Sequence, residues 1–178
     1  MAGMWRLYQK LLFKHPWKVQ ILTTGTLVGV GDIISQQLVE KKGLKKHSTI
    51  RTLKMMGIGF CFVGPTVGGW FRLLDRAIPG NSKTVALKKV MLDQGLFCPG
   101  FLVCFLCIAS VLNGLSIEET WYKLKRDYCD ALIVNYYVWP VVQIINFYFI
   151  PLNHRLAVVQ CVAIGWNAYL SWKANKIQ

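Results

Sequence analysis

The chain has 178 residues, 54% of them hydrophobic, and a mean hydropathy of +0.38. That balance excludes an ordinary soluble domain and fits a polytopic membrane protein. The formal net charge is +13, from 21 Lys and Arg against 8 Asp and Glu. A basic excess suits nucleic acid or anionic lipid. The cations gather between apolar segments: Lys10, Lys14 and Lys18; Lys41, Lys42, Lys45 and Lys46; Lys83, Lys88 and Lys89. No nucleic-acid-binding signature accompanies them. The expected partners are therefore the bilayer and its anionic headgroups, with no direct nucleic-acid binding.

Met1 to Lys18 is basic, free of acid and amphipathic. Trp5, Tyr8, Leu11 and Leu12 share one face and Arg6, Lys10 and Lys14 another. No cleavable secretory signal is expected there. The segment reads as an interfacial helix, an uncleaved mitochondrial-type targeting element, or both.

The first apolar span is predicted over 17–39, after the helix-starting Pro16. It is long enough to cross the hydrocarbon core. Gly25, Gly29, Asp32 and Gln36 recur along it at i, i+4, i+7 and i+11, on one side of a helix. An ionised carboxylate at Asp32 costs several kcal/mol in hydrocarbon, so it must face a partner or water. Two readings stand: a buried pair with a Lys or Arg of another helix, or a water-lined path. Gln36, one turn on, suits either.

A basic loop, 40–51, leads to a second span over 53–74. Gly57, Cys61, Gly64 and Gly68 repeat the same offsets there, and Pro65 lies inside. Gly25-x-x-x-Gly29 and Gly64-x-x-x-Gly68 permit close backbone approach. Segments one and two are therefore expected to touch.

Pro79 to Ser82 is a turn cluster. Segment three begins near Ala86, with its apolar part over 95–115. Asp93-Gln94 opens that part and Pro99 follows. Lys89 precedes Asp93 by one turn, so a local ion pair is expected; the alternative puts Asp93 at the mouth of a pathway. Asn113-Gly114 ends the segment. Ser116 and Glu119 have capping-box spacing, so 116–130 reads as an amphipathic helix at the membrane edge.

The fourth span is predicted over 131–150. Trp139-Pro140 with Gln143 and Asn146 is its densest motif. Pro140 frees a carbonyl at membrane depth. The two amides can satisfy such groups, bond across helices, or line a path. A last apolar helix over 156–172 is either a fifth span or packed against the bundle. Lys and Arg divide evenly between the two sides, so the positive-inside rule assigns no orientation.

Five of the six cysteines fall in apolar segments, where Cys acts as a small hydrophobe. Cys129 is the redox candidate nearest water. His15, His47 and His154 are isolated, without metal-ligand spacing. No nucleophile elbow, P-loop or dinucleotide fingerprint occurs. No enzyme activity, cofactor or metal is expected. The fold class is all-α: a transmembrane helix bundle forming one domain.

Several motifs together resemble a known family. They are Asp93-Gln94 with Pro99, Gly64-Pro65 with Trp70, Trp139-Pro140 with Gln143 and Asn146-Phe147, and Trp166-Asn167 with Tyr169-Leu170-Ser171. The chain is similar to the Mpv-seventeen family, whose relatives include small peroxisomal membrane proteins. The likeness runs over almost the whole chain and is strongest toward the mitochondrial branch. One departure is Gly68, where many relatives carry His.

The resemblance implies a four-span protein of the mitochondrial inner membrane, with the peroxisomal membrane as the alternative. It further implies a weakly selective channel that affects membrane potential and supports mitochondrial DNA maintenance through nucleotide supply. The residues alone support a channel or transporter, from the polar stripes and the deep Asp32. The alternative is a structural or scaffolding membrane protein. A homo-oligomer is open in either case.

Overall fold

The computed structural model describes residues 2–80, 82–149 and 152–176. Ile150, Pro151 and the side chains of Trp5, Asn146 and His154 lie outside the described residues. Within them the chain is all-helical.

Helix α1 (Ala2–Lys14) leads to α2 (Pro16–Ile34), which continues through a π turn at Ser35–Val39. A loop containing one 3-10 turn follows. Helix α3 (Thr49–Ile58) passes through a π turn at Gly59–Val63 into α4 (Gly64–Ala77). In the same way α5 (Lys83–Leu92) passes through Asp93–Phe97 into α6 (Cys98–Leu112). Helix α7 (Ile117–Phe149) and α8 (Leu152–Asn175) complete the bundle.

The π turns explain why Pro65 and Pro99 end no helix. A proline lacks the N–H that an α-helix requires and crowds the preceding turn. A wider turn just before each proline lets the helix pass. Both prolines sit in the first turn of the following helix. Pro140 lies inside α7.

The boundaries correct several expectations. The second segment is longer than 53–74, because Ser48 starts it by accepting from the Arg51 backbone N–H. The third ends at Leu112, short of 115, where Gly114 takes φ 81° and Leu115 N–H closes onto Ser110 O. The helices predicted at 116–130 and 131–150 are one continuous rod. Its capping box is present: Ser116 Oγ accepts from the Glu119 N–H, and Glu119 Oε2 from the Ser116 N–H. The amphipathic start simply propagates into the apolar half, since nothing between breaks helix.

Among the described residues, two continuous helices, Thr49–Ala77 and Lys83–Leu112, are long and apolar enough to cross a membrane. Much of their apolar surface faces outward, including Leu53, Phe71, Leu96 and Val111. The core lies between the rods, on Val28, Met55, Ile58, Leu102, Phe105, Leu106 and Leu170.

Glycines set how closely the rods pack. A Cβ on Gly25 would overlap the Phe60 ring, and one on Gly59 would stand 2.7 Å from Gly25 Cα. Gly29 abuts Met56, Gly64 abuts Ile21, and Gly68 abuts Trp17 and Gln20. Segments one and two therefore touch along their small faces. At Gly31 a Cβ would meet the Asn167 and Ala168 backbone at 2.7 and 2.8 Å, so α2 and α8 approach closely as well. Gly57 corrects the expectation: a Cβ there meets nothing within 4 Å.

Gly31→Ala should force α2 from α8 and cost about 1–3 kcal/mol. Gly57→Ala should be neutral or stabilise by about 0.5–1 kcal/mol, because alanine favours helix. Thermal unfolding of the two variants in detergent measures the contrast. Equal losses would overturn this account of packing.

Candidate functional site

The polar residues of the spans divide into two groups with different surroundings. The first is a sealed network around Asp32. Asp32, Ser35, Gln36 and Ser171 are fully buried, and Arg51 is 9% exposed. Asp32 Oδ1 accepts from Arg51 Nε at 2.8 Å and from Ser171 Oγ. Its Oδ2 accepts from Gln36 Nε2 at 2.8 Å and Thr52 Oγ1 at 2.6 Å. Arg51 also donates to Glu40 from Nη1 at 2.9 Å. Gln36 Oε1 in turn accepts from the Ser48 N–H at 2.8 Å.

One carboxylate thus ties α2, α3 and α8. Of the two readings of Asp32, the geometry is that of the buried pair. A charge removed from water needs both a counter-charge and filled hydrogen-bonding capacity, and Asp32 has both.

Arg51 was hidden in a run read as a basic loop. One signal could have exposed it. Ser48 caps α3, so Arg51 falls in the first helical turn, where the helix dipole disfavours cations. A cation there calls for a carboxylate nearby.

At the edge of this network, burial pushes the Glu40 carboxyl up. Hydrogen bonds and charge from Arg51 and Lys42 outweigh that and hold it at about 2. A second ion cluster joins α7 to α8. Asp127 accepts from Lys123 and Arg126, and Lys173 reaches Asp130 at 2.8 Å. Lys123 Nζ also donates to the Lys173 and Lys176 carbonyls at the end of α8. Burial raises Asp127, but Arg126 and Lys123 together hold it at about 2.

The second group lines a cavity of about 450 Å³ between α2, α4, α6, α7 and α8. Asp93, Gln94, Asn135, Trp139 and Gln143 face it, and Tyr8 and Leu12 of α1 close part of its wall. Asp32 and Gln36 do not line it. Leu170 does, and Ser171, next in the chain, belongs to the Asp32 network. The network therefore adjoins the cavity without lining it.

Asp93 does not pair with Lys89 as expected. Lys89 Nζ reaches Asp75 at 2.6 Å instead. Asp93 Oδ1 accepts from Trp70 Nε1 at 2.9 Å, and Oδ2 from Gln94 Nε2 at 2.8 Å. The Asp93 N–H still bonds to the Lys89 carbonyl, so the two stay one regular turn apart; the pair is lost because Asp75 takes the ammonium while Trp70 and Gln94 fill Asp93. Asn135 Nδ2 donates to Gln94 Oε1 at 2.7 Å, bridging α7 to the turn. Pro99 has no N–H for the Gln94 carbonyl in the π register, and Tyr136 OH donates to that carbonyl at 2.9 Å. The turn and proline thus create an acceptor that α7 fills. Asn135, Tyr136 and Trp70 were missed as site residues. Of these, Asn135 lies four residues before Trp139 and eight before Gln143, the spacing of one helical face. Cys129 is exposed on α7, and none of the six cysteines is disulfide-bonded.

The model of the Mpv17 / PMP22 family matches residues 110–171, from the end of α6 into α8. "Mitochondrial inner membrane protein Mpv17" of Xenopus laevis is 74% identical, over 99% of this chain and 99% of its own. Its namesake in Homo sapiens is 62% identical over 98% and 99%. The chain belongs to the Mpv17 / PMP22 family.

"Protein sym-1" of Neurospora crassa is 42% identical, over 93% of this chain and 95% of its own. The likeness to the Mpv17 proteins extends well beyond the matched stretch, over nearly the whole chain. The chain is a protein of the mitochondrial inner membrane, which resolves the peroxisomal alternative. No solved structure matches it significantly.

Arg51→Met should leave Asp32 buried without a counter-charge and cost about 3–5 kcal/mol. The Asp32→Asn/Arg51→Met double variant should recover part of that loss; full additivity in detergent unfolding would overturn the pairing. The Glu40 contribution has a defined pH window. Its folded pKa lies below the model-peptide value of 4.5, so its stabilisation is complete above 4.5 and is lost as pH falls toward about 2. Glu40→Gln should flatten stability over that interval relative to the wild type.

Proposed function

We propose that the chain is a weakly selective channel of the inner membrane, passing ions or small solutes and so affecting membrane potential. The observation that supports it is the cavity of about 450 Å³ within the helix bundle, bordered by Asp93, Gln94, Asn135, Trp139 and Gln143. Intramembrane polar side chains around a cavity are characteristic of substrate or ion pathways.

In this reading the chain crosses the bilayer four times: through α2 with its π turn, the two longest apolar rods, and the apolar half of α7. Helix α8 packs in the bundle as a candidate fifth span. The basic stretches rest on anionic headgroups, and α1 lies at the interface with Tyr8 turned to the cavity. The protein supports mitochondrial homeostasis and mitochondrial DNA maintenance by supplying small solutes, nucleotides or their precursors among them. It performs no catalytic step, uses no cofactor and makes no direct nucleic-acid contact. A homo-oligomer would widen the path.

A second reading, a structural or scaffolding protein without transport, has its own observation. The Asp32–Arg51 network and the glycine contacts lock α2 against α3, α4 and α8, as rigidity alone would require.

Liposomes carrying the purified protein should leak small ions and solutes. Gln143→Leu should change that flux by about tenfold, the scale of one lost hydrogen-bonding group in a pathway. If folded protein conducts nothing and takes up no solute, the channel reading fails. Crosslinking that recovers a large, non-conducting assembly would then support the scaffold.

A further inference from the structure

The two carboxylates of the spans, Asp32 fully buried and Asp93 partly exposed, are treated differently. Asp32 has a guanidinium at 2.8 Å. Asp93 is only partly exposed, yet its partners are the neutral donors Trp70 and Gln94, and no ion pair reaches it among the described residues. Asp93 faces the cavity, and among the described residues no Lys, Arg or His lines it. A carboxylate away from water, with lone pairs left over and no counter-ion, favours a cation beside it.

The remaining wall mixes aliphatic and aromatic side chains. Phe97 at the end of the π turn and Phe101 and Phe105 of α6 follow one another along it, and Trp139 and Trp166 line it as well. The ring centroids of Phe97 and Phe101 stand 5.4 Å apart, and those of Trp139 and Trp166 6.2 Å apart, edge to face. Aromatic faces attract organic cations and accept flat apolar bodies. Amides of Gln94, Asn135 and Gln143 add neutral donors and acceptors. Among the described residues a phosphate group would meet a carboxylate and ring faces, and no cation.

We propose that this cavity is a binding site for small organic cations bearing an apolar or aromatic body, with the ammonium beside Asp93 and the body against the α6 and tryptophan rings. This rests on the channel reading and narrows it. Phosphorylated nucleotides are not ligands of the cavity, so any contribution to nucleotide supply runs through amines or uncharged precursors. A volume of about 450 Å³ is in the range of small-molecule sites.

The test uses the full chain in nanodiscs of zwitterionic lipid, which does not itself concentrate cations. The probes are 2-phenylethylammonium, its neutral counterpart 2-phenylethanol and the anion phenylacetate, titrated by calorimetry and tryptophan fluorescence. The ammonium should bind about tenfold or more tightly than the alcohol, the scale of a charge-assisted contact, and phenylacetate more weakly still. Asp93→Asn should abolish that preference.

Equal binding of the three probes by the wild type would overturn the proposal, as would a folded Asp93→Asn protein that keeps its preference. Should Asp93→Asn fail to fold, Gln143→Glu decides: a second carboxylate on the wall should tighten ammonium binding, and no change would overturn the proposal. The two readings separate cleanly. Cation binding without flux in liposomes removes the channel and keeps the site. Flux with no preference among probes removes the site and keeps the channel.

Discussion

The ion pair between Asp32 and Arg51 is the constraint on which the packing of α2, α3 and α8 depends. Both groups are withdrawn from water, and neither is tolerable alone. Their pairing brings the end of α2 against the start of α3, and Ser171 adds α8 to the same carboxylate. Three elements distant in sequence are held at one point. The approach this demands is possible only because Gly31 presents no side chain to the Asn167 and Ala168 backbone, and Gly25 and Gly59 present none to each other. Small residues and the buried pair are two halves of one arrangement: the first allows proximity, the second rewards one register.

The Lys123–Asp127 cluster extends the same logic toward the C-terminus. Lys123 satisfies two carbonyls at the end of α8, groups that a helix leaves unpaired. With both ion clusters drawn together through Ser171 and Lys173, this end of the bundle is tied. The polar residues left over border the cavity. Hydrogen bonds from Trp70, Asn135 and Tyr136 converge on the π turn at Asp93–Phe97 and fix the orientation of Asp93 and Gln94. The channel proposal and the cation-site proposal both draw on this division. Charge in the Asp32 network is paired internally, and Asp93 on the cavity wall has no counter-ion among the described residues.

Much of this was legible in the chain, and the exceptions have specific causes. Helical periodicity located the rods, because apolar and small residues must segregate to opposite faces whatever the partner. The glycine offsets announced that α2 meets α3 and α4. The Lys89–Asp93 pair failed because spacing along one helix records no rival partners: Asp75 of α4 takes the Lys89 ammonium, and Trp70 of α4 donates to Asp93. The separate helices at 116–130 and 131–150 failed because a shift from amphipathic to apolar composition was taken as a boundary, although no residue there stops a helix.

By itself, then, the sequence determined the all-helical rods, the side of each that is small or polar, and the need for every buried charge to find company. Those follow from backbone geometry and the cost of polar groups in an apolar medium. Only the tertiary structure decided which company each found: Arg51 for Asp32, neutral donors for Asp93, and open space beside Gln143. Partner choice depends on how the rods are rotated and how far apart they stand. That is set by contacts between residues far apart in the chain, which no local pattern records.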